Sequence, residues 1–279
     1  MNKQDICVAI PVYKTDMNAL EIQSVKQCLN VLADYPICFV VPKGLNLEFY
    51  KRHFKSVTEY ICFDNHYFSS LEGYTSLLLS PSFYEKFEAY KYLLLHQTDC
   101  FVFRDDLLHW AKKGYDYIGG LVFEGFHGNP EQDAKLWCAG NGGLSLRCVY
   151  SFKKQLISNK KLKNNKQLKA EKEALGVFTG LSKLKLNLLF LLKRMGYKNS
   201  IAFYAKTFNN NEDVFFIKLC LDYKVMTMPE PEEALFFSWD RRPDFLFNTY
   251  KELPFACHAW YRNDPPYENN KDFWQQIIK

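Results

Sequence analysis

Asp99 closes the run His96-Gln97-Thr98-Asp99, which interrupts an apolar stretch ending in Leu93-Leu94-Leu95 and resuming as Cys100-Phe101-Val102-Phe103. A carboxylate at the carboxyl edge of a strand is a place where a hard divalent cation, and through it a diphosphate, can be held. The same polar run also makes an ordinary turn capped by Asp99. Three other groups have residue types fit for chemistry. Residues 139–147, AGNGGLSLR, set Gly140, Gly142 and Gly143 around Asn141, which lets backbone approach a ligand closely and permits positive φ, or makes a plain turn. Ser145 and Arg147 follow on what reads as a strand. The glycine spacing matches neither G-x-G-x-x-G nor a phosphate loop. In NEDVFF, 211–216, Asn211 can cap a helix whose positive end favours Glu212 and Asp213, and a carboxylate there can also serve as a general base. FACHAWYR, 255–262, offers His258 and Trp260 on a strand or loop.

The elements that would position these residues are legible in the first half of the chain. Short β-branched or aromatic runs at 6–12, 37–41, 57–62 and 92–95 alternate with stretches such as ALEIQSVKQCLNVLA, whose apolar residues recur at helical spacing. Strand alternating with helix predicts a mainly parallel sheet flanked by helices, and ligands of such sheets bind beyond the carboxyl ends of the strands. The second half is less regular: a turn-rich segment after Phe123, a lysine-rich stretch, and then the acidic helix start.

Composition narrows the class. The 279 residues are 48% apolar and 24% charged, with 24 Phe and 18 Tyr, an ordinary globular balance with a ring-rich core. No apolar leader follows a basic start, and no window holds the roughly 18 uncharged apolar residues of a membrane span. The nine cysteines are scattered, never spaced C-x-x-C, and read as buried free thiols of a reducing cytoplasm. The net charge of +5 is segregated: residues 148–206 hold 14 Lys or Arg against Glu171 and Glu173, a local +12.

Taken in order, IPVYK (10–14), GYTSLLLSPSFYEKF (73–87), QTDCFVF (97–103), GYDYIG (114–119), GNGGLSLR, NEDVFF and CHAW resemble a bacterial glycosyltransferase-like family of the GT-A fold, associated with surface-polysaccharide synthesis. The resemblance covers most of residues 6–262 apart from the lysine-rich stretch. It implies one GT-A-like, Rossmann-like domain over 1–279 with a basic helical insertion at 150–206. It also implies transfer of a sugar from a nucleotide-diphosphate donor, UDP-linked by the likeness, to a glycan or lipid-linked acceptor. By the same likeness Pro11, Val12, Tyr13 and Lys14 form the nucleoside pocket, with Tyr13 stacking on the base. Gln97-Thr98-Asp99 stands where the family type has D-x-D, so Asp99 takes the Mn²⁺ or Mg²⁺ role; because Gln97 replaces an Asp with an uncharged amide, the likeness leaves three readings, namely weak metal binding, a site completed by His258, or an enzyme that works without metal. Gly140, Asn141, Gly142 and Gly143 line the donor and acceptor side, Arg147 adds positive charge, Trp260 faces the cleft, and Asp213 or Glu212 is the base.

Two alternatives share the fold: a nucleotidyltransferase, disfavoured because no glycine- and basic-rich signature follows the first strand, and a non-catalytic binding protein, to which Gln97 points. In the basic stretch, residues 182–198 hold an apolar block too short to span a bilayer and bordered by lysines. It fits either a core helix or a helix lying on an anionic membrane surface. A cytoplasmic protein, peripheral on the inner face of the membrane, follows from the second fit. Nucleic acid is not an expected partner, because the basic residues lack interleaved aromatics.

Overall fold

The computed structural model describes residues 1–125 and 135–278. Part of the turn-rich segment after Phe123, residues 126–134, lies outside the described residues. Within them, nine strands form two sheets. The larger has the order β3-β2-β1-β4-β7-β6, built from β1 (Ile6–Pro11), β2 (Ile37–Pro42), β3 (Glu59–Phe63), β4 (Tyr92–His96), β6 (Tyr117–Phe123) and β7 (Leu136–Cys148). Strands β3, β2, β1 and β4 are parallel, with Val8 beside Ile37 on one side and Leu94 on the other, while β7 runs antiparallel between β4 and β6. The chain is thus mixed α/β with a mainly parallel central sheet flanked by helices, as its alternating pattern predicts.

The first strands read as unbroken apolar runs because both of their faces are covered. Ile6, Val8, Ile10 and Leu94 enter one core with Val25 and Cys28 of the helix Ala19–Val31; Cys7, Ala9, Leu93 and Leu95 enter a second with Phe83, Phe152 and Phe216. The helix Ala19–Val31 starts at a capping box, in which the Asn18 side chain accepts from the Glu21 N–H and Glu21 accepts from the Asn18 N–H. All nine cysteines are free thiols. Seven are buried, but Cys62 is exposed because β3 is an edge strand with one open face, contrary to the apolar run around it.

The small sheet has the order β5-β9-β8, from β5 (Phe101–Val102), β8 (Ser238–Trp239) and β9 (Ala256–Cys257). Its strands are two residues each, yet they set the register of the site. Pairing of Trp239 with Cys257 puts Asp240 beside His258, and antiparallel pairing of Phe101 with Cys257 brings Asp99 to the same end. The lysine-rich stretch folds as the helices Val149–Leu156, Asn165–Ala174, Gly180–Met195 and Ile201–Thr207. Among the described residues no helix is long and apolar enough to cross a membrane.

Candidate active site

Gln97 to Cys100 form the turn that joins β4 to β5, with the Cys100 N–H donating to the Gln97 carbonyl at 3.0 Å. The turn expected of this polar run is present, and the Asp99 side chain is turned to His258. Its Oδ1 lies 3.3 Å from His258 Nε2, and Gln97 Oε1 lies 3.2 Å from the same nitrogen. On its other side, His258 Nδ1–H donates to Asp240 Oδ1 at 2.5 Å. The imidazole is therefore oriented by one carboxylate and presents its second nitrogen to another carboxylate and an amide. Burial opposes charge on this ring, but Asp99 and Asp240 together outweigh it and push its pKa up to about 10. Burial likewise favours a neutral Asp99, and His258 overcomes it, holding the carboxyl below its ordinary range with help from Arg262.

This donor set fits a divalent ion once His258 Nε2 has lost its proton, because only the neutral imidazole offers a lone pair to a metal, so binding the ion would release that proton. Two ligands at right angles on a cation with bonds of about 2.1 Å stand about 3 Å apart, close to the separations around His258 Nε2. An Nδ1–H held by a carboxylate is the usual support of a metal-ligating histidine. Only two of the donors are strong. Among the described residues no three His, Cys, Asp or Glu side chains are grouped to hold a metal.

The glycines act differently from the turn or positive-φ reading of the sequence. Gly140, Gly142 and Gly143 lie inside the continuous strand β7, and none has positive φ. They are required by close approach. A Cβ on Gly143 would stand 2.3 Å from His258 Nε2, and one on Gly142 would stand 2.9 Å from Glu212 Oε1. Gly143→Ala is expected to push the ring off its partners and cost about 1–3 kcal/mol of stability, measurable by denaturant unfolding. Successive strand residues face opposite sides, so His258 meets β7 from one face and the Glu212–Asp213 pair from the other. Both meet it near the last rung with β4, where His96 pairs with Leu144.

The acids of the helix Glu212–Leu221 divide their work. Asn211 makes no side-chain cap to this helix, contrary to the sequence expectation, and both acids turn inward. Glu212 Oε1 pairs with Arg147 at 2.9 Å. Asp213 Oδ2 accepts from the Gly142 N–H at 3.2 Å and Oδ1 from the Val214 N–H at 2.7 Å. Burial, then the Glu212 charge, push the Asp213 carboxyl up to about 7.

Arg147 and Trp260 are not on an open surface. Arg147 is 0% exposed; besides Glu212, its guanidinium donates to Ser145 Oγ at 3.0 Å and to Tyr84 Oη at 3.1 Å, within 6 Å of the Tyr117, Phe152 and Phe216 rings. Its charge is spent inside the protein, so it positions Glu212 and does not stand free for a diphosphate. Trp260, expected in the cleft, is 1% exposed and packs edge-on against Phe101 in the core.

Pro11, Val12, Tyr13 and Lys14 line a notch at the carboxyl edge of β1 with Tyr50 and Thr98. Tyr13 is 58% exposed and free to cover a flat ligand. Glu21 ties this notch to the Gln97–Asp99 turn: its Oε1 takes Lys14 Nζ and the Thr98 hydroxyl, each at 3.3 Å. Sequence reasoning missed Glu21 and Asp240. Glu21 gives a signal as the fourth residue of N-x-x-E, but Asp240 gives none. Asp240 also accepts from Asn141 Nδ2 at 3.2 Å, which makes Asn141 a brace between β7 and the small sheet.

The chain belongs to a family described as a protein of unknown function (DUF5672), whose model matches residues 57–258. Solved structures with a similar course include galactosyltransferase LgtC in complex with donor and acceptor sugar analogues, at 11% identity and a TM-score of 0.49 over 96% of this chain and 94% of that one. Mouse xyloside xylosyltransferase 1, in its apo form, gives 8% identity and 0.44 over 90% and 96%. The apo glycosyltransferase GlyE of Streptococcus pneumoniae TIGR4 gives 10% and 0.44, covering 100% of this chain and 61% of that one. At these identities, with TM-scores below 0.5, the likenesses assign no activity. No curated protein matches the sequence.

Proposed function

We propose that the protein is a GT-A-type glycosyltransferase that takes a sugar from a nucleoside-diphosphate donor. The observation that supports this most is the meeting of two groups at the carboxyl edges of β1 and β4. The Pro11–Lys14 notch, with Tyr13 exposed, is linked through Glu21 to a turn where Asp99, Gln97 and His258 converge within 3.3 Å. In this reading the base lies against Tyr13 and the diphosphate reaches the turn. A Mn²⁺ or Mg²⁺ bound there supplies positive charge for the departing diphosphate. Asp99 and His258 would hold that ion with Gln97 as a weak third donor, and Asp240 fixes the His258 ring. Asp213 is the residue fit to take a proton from an acceptor hydroxyl: Glu212 is committed to Arg147, whereas Asp213 has a pKa near the working range. The acceptor would be a glycan or a lipid-linked sugar, consistent with surface-polysaccharide synthesis.

The test is transfer or donor hydrolysis with a panel of nucleotide sugars. Activity confined to a nucleoside triphosphate would favour a nucleotidyltransferase instead, and donor binding without turnover would favour a binding protein.

The two acids separate by readout. Asp213→Asn is expected to lose about 10² or more in rate and about 1–3 kcal/mol of stability, because the amide can accept from only one of the Gly142 and Val214 N–H groups, while Glu212→Gln lowers stability with little loss of rate because it leaves buried Arg147 without its counter-charge. The pH dependence follows the raised Asp213 pKa. As a base it must be ionised, so kcat/KM rises with pH through about 7 and is flat above, and Asp213→Asn abolishes that rise. Its effect on folding has the opposite sign: a carboxyl whose folded pKa is raised disfavours the fold increasingly as pH climbs from the unfolded value of 3.8 to about 7. Equal, mild losses of rate in both variants would assign the pair to structure alone.

A further inference from the structure

The helix Gly180–Met195 ends on Gly196 at φ 113°, a left-handed cap, and its two faces differ. Phe190 is buried, with Leu186, Leu189 and Leu192 partly covered, so this side packs onto the protein. The opposite side exposes Leu181, Leu184, Leu188, Leu191 and Met195, each more than half accessible. These recur at 3, 4, 3 and 4 residues and form one apolar stripe. The sequence alone could not separate this stripe from the core-facing leucines.

Charge decides what covers it. The helix carries no Asp or Glu, and Lys183, Lys185 and Arg194 border the stripe, with Lys198 just beyond. The segment's two acids are already held, Glu171 by Lys163 and Lys193 and Glu173 by Lys169. Among the described residues no carboxylate pairs with the four bordering cations. Beside the stripe, a groove of about 680 Å³ between this helix and Asn165–Ala174 is lined by Leu168, Phe178 and Phe190 and by four cations, Lys169, Lys172, Lys183 and Arg194, against the single acid Glu173. A second copy would present the same cations to one another with no acid in answer, and 16 residues hold only about two heptads, short of the three to four that a coiled coil sustains. An apolar stripe with an uncompensated cationic border fits an interface that is apolar inside and anionic at its surface.

We propose that the helix Gly180–Met195 lies in the surface of an anionic phospholipid bilayer, Leu181, Leu184, Leu188, Leu191 and Met195 inserted at the headgroup boundary and Lys183, Lys185, Arg194 and Lys198 on the lipid phosphates. This is independent of the glycosyltransferase reading. The full chain is sedimented with vesicles of phosphatidylcholine alone and of phosphatidylcholine with phosphatidylglycerol, at low and high salt. The expected result is binding more than about tenfold stronger to the anionic vesicles, reduced by salt. Changing Lys183, Lys185, Arg194 and Lys198 to Gln removes the preference; these side chains make no ion pair that folding needs, and Lys193 is left in place with Glu171. Changing Leu184, Leu188 and Leu191 to Ser removes binding with an unchanged melting temperature. Equal sedimentation with neutral and anionic vesicles overturns the proposal, as does unimpaired binding by either variant. A lipid-free dimer that the Ser variant dissolves also overturns it and assigns the stripe to a second copy.

Discussion

Arg147→Met is expected to destabilise the protein by about 3–5 kcal/mol, the cost of leaving a buried partner charge uncompensated. Met roughly preserves volume, so the loss would come from the stranded Glu212 carboxylate and the acceptors Ser145 Oγ and Tyr84 Oη, all now facing an apolar side chain. The surrounding Tyr117, Phe152 and Phe216 rings give the guanidinium a cation–π environment that Met cannot use. Denaturant unfolding measures the loss directly. Adding Glu212→Leu should restore much of it, because removing both members of a buried pair costs far less than removing one. If the two substitutions are instead additive, the pair is not the interaction that holds the helix Glu212–Leu221 against β7.

Asp99→Asn is expected to reduce turnover by about 10²–10³, the scale of losing one preorganised electrostatic contact to developing charge, and to lower the melting temperature as well, because it takes one of two counter-charges from buried His258. Among the described residues the carboxylate is the only negatively charged donor that faces His258 Nε2, since Asp240 is engaged at Nδ1 and Gln97 is neutral. Asp240→Asn separates support from ligation. It leaves Asp99 and His258 in place but loosens the ring and its tautomer, so Mn²⁺ affinity should fall about 10–100-fold, read by electron paramagnetic resonance of free Mn²⁺. Unchanged Mn²⁺ affinity in Asp240→Asn would remove it from the metal-supporting role.

The parallel half of the fold was legible because burial on both faces writes each strand as an unbroken apolar run, and the helices between them keep their period. Asp99 was legible by position, as the first carboxylate beyond β4. The small sheet was not: β8 and β9 are two residues each, too short for any periodicity, so the pairing of Trp239 with Cys257 that delivers Asp240 to His258 leaves no local trace. Of the two readings of the glycines, close approach of other groups to the backbone holds, although to His258 and Glu212, and the turn does not. The fold uses the missing Cβ atoms to seat His258 and Glu212 against a straight strand. Arg147 was expected to lend its charge to the donor because nothing in LSLR announces the cage of Tyr84, Tyr117, Phe152 and Phe216 drawn from four other segments. Trp260 fails similarly: alternation with His258 puts both on one face of an ideal strand, but β9 ends at Cys257 and Ala259 has φ 54°, which turns Trp260 into the core.

The central claim is that the Asp99–His258 turn receives the diphosphate of a nucleotide donor through a divalent cation. Calorimetric titration of UDP, with GDP and ADP in parallel, into the wild-type chain and Asp99→Asn, each with Mn²⁺ and with chelator, tests it most directly. The account predicts that at least one nucleoside diphosphate, UDP foremost, binds the wild type only when the cation is present, and that Asp99→Asn abolishes this binding. Binding indifferent to both the cation and the substitution, or no binding of any of the three, would contradict it.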